Sequence, residues 1–229
     1  AIWRRSARSI IGRSETLMAN EKNIAGNSSA YLLLKTSEPL SAGSGFSYVC
    51  AGCAECCRNK RIPVYPFDVL RLARFLALGT GEFLAKFVEP ADALLKHEKA
   101  GGCIFLEGTK CGVYEFRPLV CRLYPLRRHS SRERGEIYAL AEPEPETKGR
   151  YGTAGSVSSF IKSGKADGLL SQVDRCLAAR QCGGEPGGIK HLDVDRICRK
   201  HGTPIDGFAL EAWESAMEVY YAACREETD

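Results

Sequence analysis

The clearest periodic signal runs through IPVYPFDVLRLARFLALG, residues 62–79. Val69, Leu70, Leu72, Ala73, Leu76 and Ala77 make a wide apolar stripe at helical spacing, and Pro66 with Asp68 suits its start. Gly79 is placed as its C-cap. Thr80 then caps a second predicted helix, GEFLAKFVEP, with Glu82 favouring the first-turn dipole. A third piece, ADALLKHEKAGG, ends in two glycines. Beyond it, CIFLEGTKCGVYE reads as two β-like runs around Gly108-Thr109, where glycine in the first central position fits a type II′ hairpin turn. FRPLVCRLYP begins a short helical turn at Pro118 and is ended by Pro125.

From residue 126 the pattern weakens. RRHSSRERGE reads as a polar, basic loop, AEPEPETKG as a Pro/Glu linker, and RYGTAGSVSSFIKSGKADGLLSQVDRCLAA as a loop entering one or two helices. QCGGEPGG breaks the chain, and GFALEAWESAMEVYYAAC is an amphipathic closing helix. Upstream, residues 18–45 form a Gly/Ser/Asn-rich arm around the apolar patch YLLL. The expected class is α+β, mainly helical. It divides into an irregular arm over 1–45, a small metal-centred domain with a short β-hairpin over 46–140, and a linker with a helical C-terminal extension over 141–229.

Composition changes this picture little. Of 229 residues, 44% are hydrophobic, enough for an ordinary core, and the net charge is +4. Without Arg4, Arg5, Arg8, Arg13 and Glu15 the balance is 28 basic to 27 acidic, so charge gives no case for nucleic acid. Met18 begins MANEKN, and we expect the chain proper to start there, with residues 1–17 as upstream sequence. No run approaches the roughly 18 apolar residues of a membrane span. The reading is a soluble, cytoplasmic protein.

Cysteine changes the picture most. There are eleven, an odd number, and seven lie between residues 50 and 121. CAGCAECC alone places Cys50, Cys53, Cys56 and Cys57 within eight positions; Cys103, Cys111 and Cys121 follow. A CxxC pair lets two thiolates reach one ion while intervening backbone N–H groups point at the sulfurs. Clustered thiols without the even count of a disulfide scaffold point to metal in a reducing compartment. Cys57, adjacent to Cys56, is expected to serve a second metal or the far side of a cluster. In a regular hairpin Leu106 pairs with Cys111 and Cys103 with Tyr114, which sets the two cysteines on opposite faces. They share a site only if Cys103 precedes the strand or a bulge intervenes.

Phe46-x3-CxxCxxCC followed by CIFL-x4-C-x-VY-x2-RP-x2-CRLYP resembles the CxxCxxCC family of zinc- or iron-chelating domains, the YkgJ-like cysteine-cluster proteins. The resemblance spans about Phe46 to Pro125 and implies seven ligands: Cys50, Cys53, Cys56, Cys57, Cys103, Cys111 and Cys121. A further family cysteine, before a glycine, is absent here, where the chain reads PETKG. Relation to flagellin lysine N-methylases implies an iron–sulfur cluster, of the 4Fe-4S type, with zinc as the alternative. Two functions follow: a metal-binding protein whose cluster is structural, electron-transferring or accessory to a protein partner, or an enzyme of the protein-lysine N-methylation type. A radical S-adenosylmethionine motif fails at Lys60, where CxxxCxxC needs its third cysteine, and no GxGxG loop follows an apolar strand.

Among the other candidates, His97, His129, His191 and His201 are expected at the surface. Arg122, Arg127, Arg128, Arg132 and Arg134 are expected to form a solvated loop with Glu133 and Glu136. Arg117 is expected to bond backbone carbonyls, and Tyr114 and Tyr124 to pack around the site. Cys224 reads as a small buried hydrophobe on the closing helix. Cys176, Cys182 and Cys198 carry no reading.

Overall fold

The computed structural model describes residue 34 and residues 39–226, apart from 99–100, 132–134, 145, 183–190, 204 and 206–211. The leader over 1–17, most of QCGGEPGG and the first residues of the closing segment lie outside the described residues. Those described form a mixed α+β fold of short helices and three two-stranded antiparallel sheets. In chain order the elements are β1 (Gly45–Val49), α1 (Glu55–Asn59), α2 (Pro66–Phe75), α3 (Thr80–Phe87), β2 (Leu106–Glu107) and β3 (Lys110–Cys111). A 3-10 turn (Tyr114–Phe116), α4 (Leu119–Leu123), β4 (Leu126–Ser131), β5 (Gly135–Leu140) and β6 (Arg150–Ser156) follow. The chain then runs through α5 (Val157–Ser163), α6 (Asp167–Cys182), α7 (Val194–Lys200) and α8 (Trp213–Glu226).

Helix α2 sits between two apolar clusters, which is why its sequence is hydrophobic nearly all round. Phe67 and Leu70 join Phe46, Tyr138, Val157, Met217 and Tyr220 on one side. Val69, Leu72 and Ala73 join Ile62, Phe83, Leu95, Phe105 and Val113 on the other. Two of its buried charges, Asp68 and Arg74, have hydrogen-bond partners. Asp68 Oδ2 accepts the Tyr65 N–H at 3.2 Å and Oδ1 accepts the Leu119 N–H at 3.1 Å, which ties the start of α2 to the start of α4. Burial nevertheless pushes the Asp68 carboxyl up to about 6, against the nearby Arg71 charge and those two hydrogen bonds. Arg74 forms a fork with Asp195 of α7.

Three local expectations are corrected. Gly79 does not cap α2, which ends at Phe75 and passes its left-handed position to Ala77 (φ +55°). Gly79 is instead the N-cap of α3, and the cap comes from outside the helix: the Thr80 N–H donates to Asp195 Oδ2 at 2.8 Å and its hydroxyl to Asp193 Oδ1 at 2.6 Å. The ends of the basic loop at 127–136 are paired strands, β4 and β5, with Arg127 opposite Ala139 and His129 opposite Ile137, while Arg132, Glu133 and Arg134 lie outside the described residues. Tyr138 is buried there, and Arg128 bonds Asp174 of α6, a partner no local pattern reveals. The segment before α5 is strand β6, paired with β1 from Ser47↔Gly152 to Val49↔Arg150, so a sheet joins the cysteine-bearing segment to the chain beyond residue 140.

Candidate metal centre

After β1 the chain bends through Gly52 (φ +65°) and Ala54 (φ +67°) into α1. A left-handed alanine costs on the order of 1 kcal/mol, and it is held by the Cys57 and Arg58 N–H groups, which both donate to the Ala54 carbonyl. This bend repeats a local device. The Gly52 N–H donates to Cys50 Sγ at 3.4 Å. The Glu55, Phe105 and Val113 N–H groups do the same for Cys53, Cys103 and Cys111. In all four, sulfur i accepts from the amide two residues on, the arrangement that stabilises a thiolate.

The hairpin places its cysteines as the turn chemistry predicts. Leu106 pairs with Cys111 and Gly108 takes φ +63°. Cys103 precedes the strand, which removes the conflict of faces. Its N–H donates to the Cys57 carbonyl at 2.7 Å and its own carbonyl accepts from the Leu106 N–H, so the hairpin start is fastened to the end of CAGCAECC.

Cys103, Cys111 and Cys121 each feel the charge of Cys56. Burial raises the Cys103 thiol, partly offset by the Phe105 N–H, with Cys56 adding to the rise. Burial pushes Cys111 up to about 11, with Cys103 and Cys56 adding and the Val113 N–H and Arg117 opposing. Cys121 is raised strongly by burial, then by Cys111, Cys103 and Cys56. Cys56 itself is raised by its hydrogen bond with Cys57, by burial, and by the fields of Cys57 and Cys53. Cys57, Cys111 and Cys121 pack against the apolar cluster of Phe105, Val113 and Leu95. In so poor a dielectric, neighbouring thiolates repel one another, and a bound cation converts that repulsion to attraction.

Cys50 and Cys53 are the outer thiols of this stretch, exposed and half-buried respectively, with Cys53 still close enough to act on Cys56. Cys53 is the one thiol here shifted down. Its partial burial acts upward, but hydrogen bonds from the Lys148 and Glu55 N–H groups and the Thr147 hydroxyl outweigh it. Thr147 Oγ1 lies 3.9 Å from Cys53 Sγ. Thus Thr147 and Lys148, in the stretch without the family's extra cysteine, pack on Cys53. Lys60 holds this stretch there through Glu144 at 2.6 Å and the Glu142 carbonyl at 3.2 Å. Gly149 is required beside it, because a Cβ there would stand 1.9 Å from the Tyr48 hydroxyl. Thr147, Lys148 and Tyr48 were not singled out from the sequence; the glycine after Lys148 is the one local signal that a close approach was needed.

The remaining candidates resolve simply. Arg117 donates to the Tyr114 carbonyl at 2.8 Å, as expected. Tyr124 packs beside Tyr48, ring centroids 5.9 Å apart, near Cys56. Tyr114, expected to pack around the site, is 52% exposed under the Arg117 guanidinium. His97 is half-buried rather than at the surface, with Nε2 3.2 Å from the Lys60 carbonyl. Arg122 is buried and bonds the carbonyls of Arg117, Glu115 and Gly164. Cys176 and Cys198 are buried and Cys224 packs against the C-terminal cluster. Among the described residues no group of three or more His, Cys, Asp and Glu stands at metal-ligating distance. Soft sulfur donors, amides aimed at them and an apolar wall nevertheless fit a thiolate-bound metal. Among those residues no helix is long and apolar enough to cross a membrane.

Comparison with known proteins agrees with this chemistry. Residues 49–143 match the model of the CxxCxxCC family, described as "Putative zinc- or iron-chelating domain". An uncharacterized protein of Methanocaldococcus jannaschii is 33% identical over 86 residues, which cover 36% of this chain and 46% of that protein. The match therefore spans less than half of the archaeal protein. No solved structure matches the chain.

Proposed function

We propose, for a chain whose residues 49–143 carry a CxxCxxCC domain, that it holds an iron–sulfur cluster through thiolates in a structural, electron-transfer or accessory role. The observation that carries the reading is the repeated amide-to-sulfur turn at Cys50, Cys53, Cys103 and Cys111. Structural cysteines buried as small hydrophobes have no need of it. Cys56, Cys103, Cys111 and Cys121 are the inner ligands, since Cys103, Cys111 and Cys121 each feel the charge of Cys56, and Cys121 also that of Cys103 and Cys111. Cys57 is hydrogen-bonded to Cys56 at their edge, and Cys50 and Cys53 form an outer pair facing Thr147.

A thiolate-held iron–sulfur cluster supplies a one-electron redox centre. The chain's own residues prepare the place for it. Amides of Phe105 and Val113 stabilise charge on the sulfurs, and the wall of Phe105, Val113 and Leu95 keeps water out. Tyr48 and Tyr124 cover the Cys56 side. Ligation requires these thiols to give up protons that burial now favours, so loading releases protons and weakens as pH falls. Zinc is the second reading, favoured by the family description, and it makes the site structural. Neither comparison carries the lysine-methylation reading. An electron-transfer or accessory role in turn implies a protein partner and a reducing, cytoplasmic setting.

Single Cys→Ser variants purified without oxygen test the assignment. Cys56→Ser, Cys103→Ser, Cys111→Ser and Cys121→Ser are expected to lose most bound metal, and Cys50→Ser to keep most of it. Equal loss across all five, or none in any, contradicts the inner set.

A further inference from the structure

Beside Arg122 of α4, a cavity of about 650 Å³ opens between the 3-10 turn, α2, α8 and the start of α6. Its floor is cationic and buried: Arg71 is 7% exposed and Arg122 6%. Arg122 spends its guanidinium on three backbone carbonyls. Arg71 does not: it lines this cavity, and its buried Nη1 has no hydrogen-bond partner among the described residues. Asp68, the carboxylate whose charge acts on Arg71, has both oxygens engaged by backbone amides. Nearby Arg117 repels both arginines, and Arg71 repels Arg122, which lowers the proton affinity of the Arg71 and Arg122 guanidinium groups beyond the effect of burial. A buried guanidinium with an unmet donor is costly and calls for an acceptor.

The opposite wall supplies a second anion-binding device. Asp167, Gly168 and Leu169 begin the 16-residue helix α6 and line the cavity. Their three N–H groups have no backbone acceptor among the described residues, the first α6 amide with one being Leu170, bonded to the Ala166 carbonyl. Space beside Gly168 is open: a Cβ there meets nothing within 4 Å. Two aromatic rings complete the walls, and Arg71 lies 5.9 Å from the centroid of Phe116 and 5.5 Å from that of Trp213. The carboxylates that also line the cavity, Glu115, Asp167 and Glu214, are exposed at its rim with Lys165, where water screens them.

We infer that this cavity binds the oxyanion of a small molecule, a carboxylate or a phosphate, between Arg71 and the N-terminus of α6, with its carbon frame against Phe116 and Trp213. Guanidinium and helix-terminal amides together give the charge-assisted, directional donors that such a group takes. The size suits a metabolite rather than a peptide or a nucleic acid chain.

Amide chemical shifts of the full ¹⁵N-labelled chain, carrying its metal, test this. Inorganic phosphate and malonate are titrated separately, with potassium chloride holding ionic strength constant. Saturable shifts at Gly168 and Leu169 are expected for at least one anion, with an apparent Kd of about 1 mM or tighter. Phosphate alone identifies a phosphate ligand, malonate alone a carboxylate, and both the shared oxyanion chemistry. Arg71→Gln is expected to weaken binding by about tenfold or more. Gly168→Glu, which has room and suits a helix first turn, is expected to abolish binding while melting like the parent. The inference is overturned if neither anion gives saturable shifts, or if Gly168→Glu binds like the parent.

Discussion

At the residue scale, the buried carboxylates of α2 and α7 have opposite pH signs. Asp195 is partly buried, which acts upward, but its hydrogen bonds and ion pair with Arg74, together with the Thr80 bonds, hold its carboxyl below the usual range. Its contribution is therefore present above the unfolded carboxylate pKa of about 4 and lost as pH falls through the folded value. Asp68, raised to about 6, works the other way: its ionisation costs stability above that pH, and protonation between about 6 and 4 recovers it. Asp195→Asn is predicted to lose roughly 3 kcal/mol at pH 7, because it removes the carboxylate onto which buried Arg74 forks. The deficit should shrink below pH 4, and urea melts at both pH values check this. A deficit that is the same at both pH values would remove the ion pair from the account. Gly149→Ala is predicted to destabilise by roughly 1–3 kcal/mol by overpacking. Tyr48 resists yielding because it is edge-packed against Tyr124 and Tyr151 at 5.9 and 5.0 Å. A Gly149→Ala melt superimposed on the parent's would contradict this contact.

At the scale of elements, the β6–α5 junction is set by Ser156, whose side chain accepts the Ser159 N–H at 3.2 Å while Ser159 Oγ accepts the Ser156 N–H at 2.8 Å. Ser156→Ala is predicted to cost about 1 kcal/mol, read from denaturant midpoints. Elements with a strong local signature were legible in sequence. Helix α2 showed in its apolar period and Pro66 start, and the β2–β3 hairpin in Gly108 alone. The β4–β5 hairpin was not, because its polar run is stabilised by distant partners: Arg128 by Asp174, and Tyr138 by mutual backbone bonds with Leu40. Strand β6 was hidden for a related reason. RYGTAGS has little β character of its own and gains its pairing from β1. For the candidate site, CAGCAECC showed which residues carry the chemistry. It could not show that Cys53 faces Thr147 and Lys148, nor which thiols share the field of Cys56, since those depend on how three separated segments fold onto one wall.

At the scale of the molecule, one helix couples everything. Helix α2 packs against the cluster that walls the thiols and against the cluster that contains α8, and it sends Arg71 into the oxyanion cavity. Loading of the thiols should therefore stabilise the chain broadly, because binding only the folded state shifts its stability by mass action. A chelator that strips the metal is predicted to lower the melting temperature measured through the C-terminal helices, and not only to loosen the loop at 50–57. The most direct test of the central claim is elemental and sulfide analysis, with a visible spectrum, of the full chain purified without oxygen. The account predicts a brown protein containing iron and acid-labile sulfide in equal amounts, both lost in Cys121→Ser. A colourless chain with zinc in their place would make the site structural, and a chain without either metal would contradict the claim that these thiols hold one.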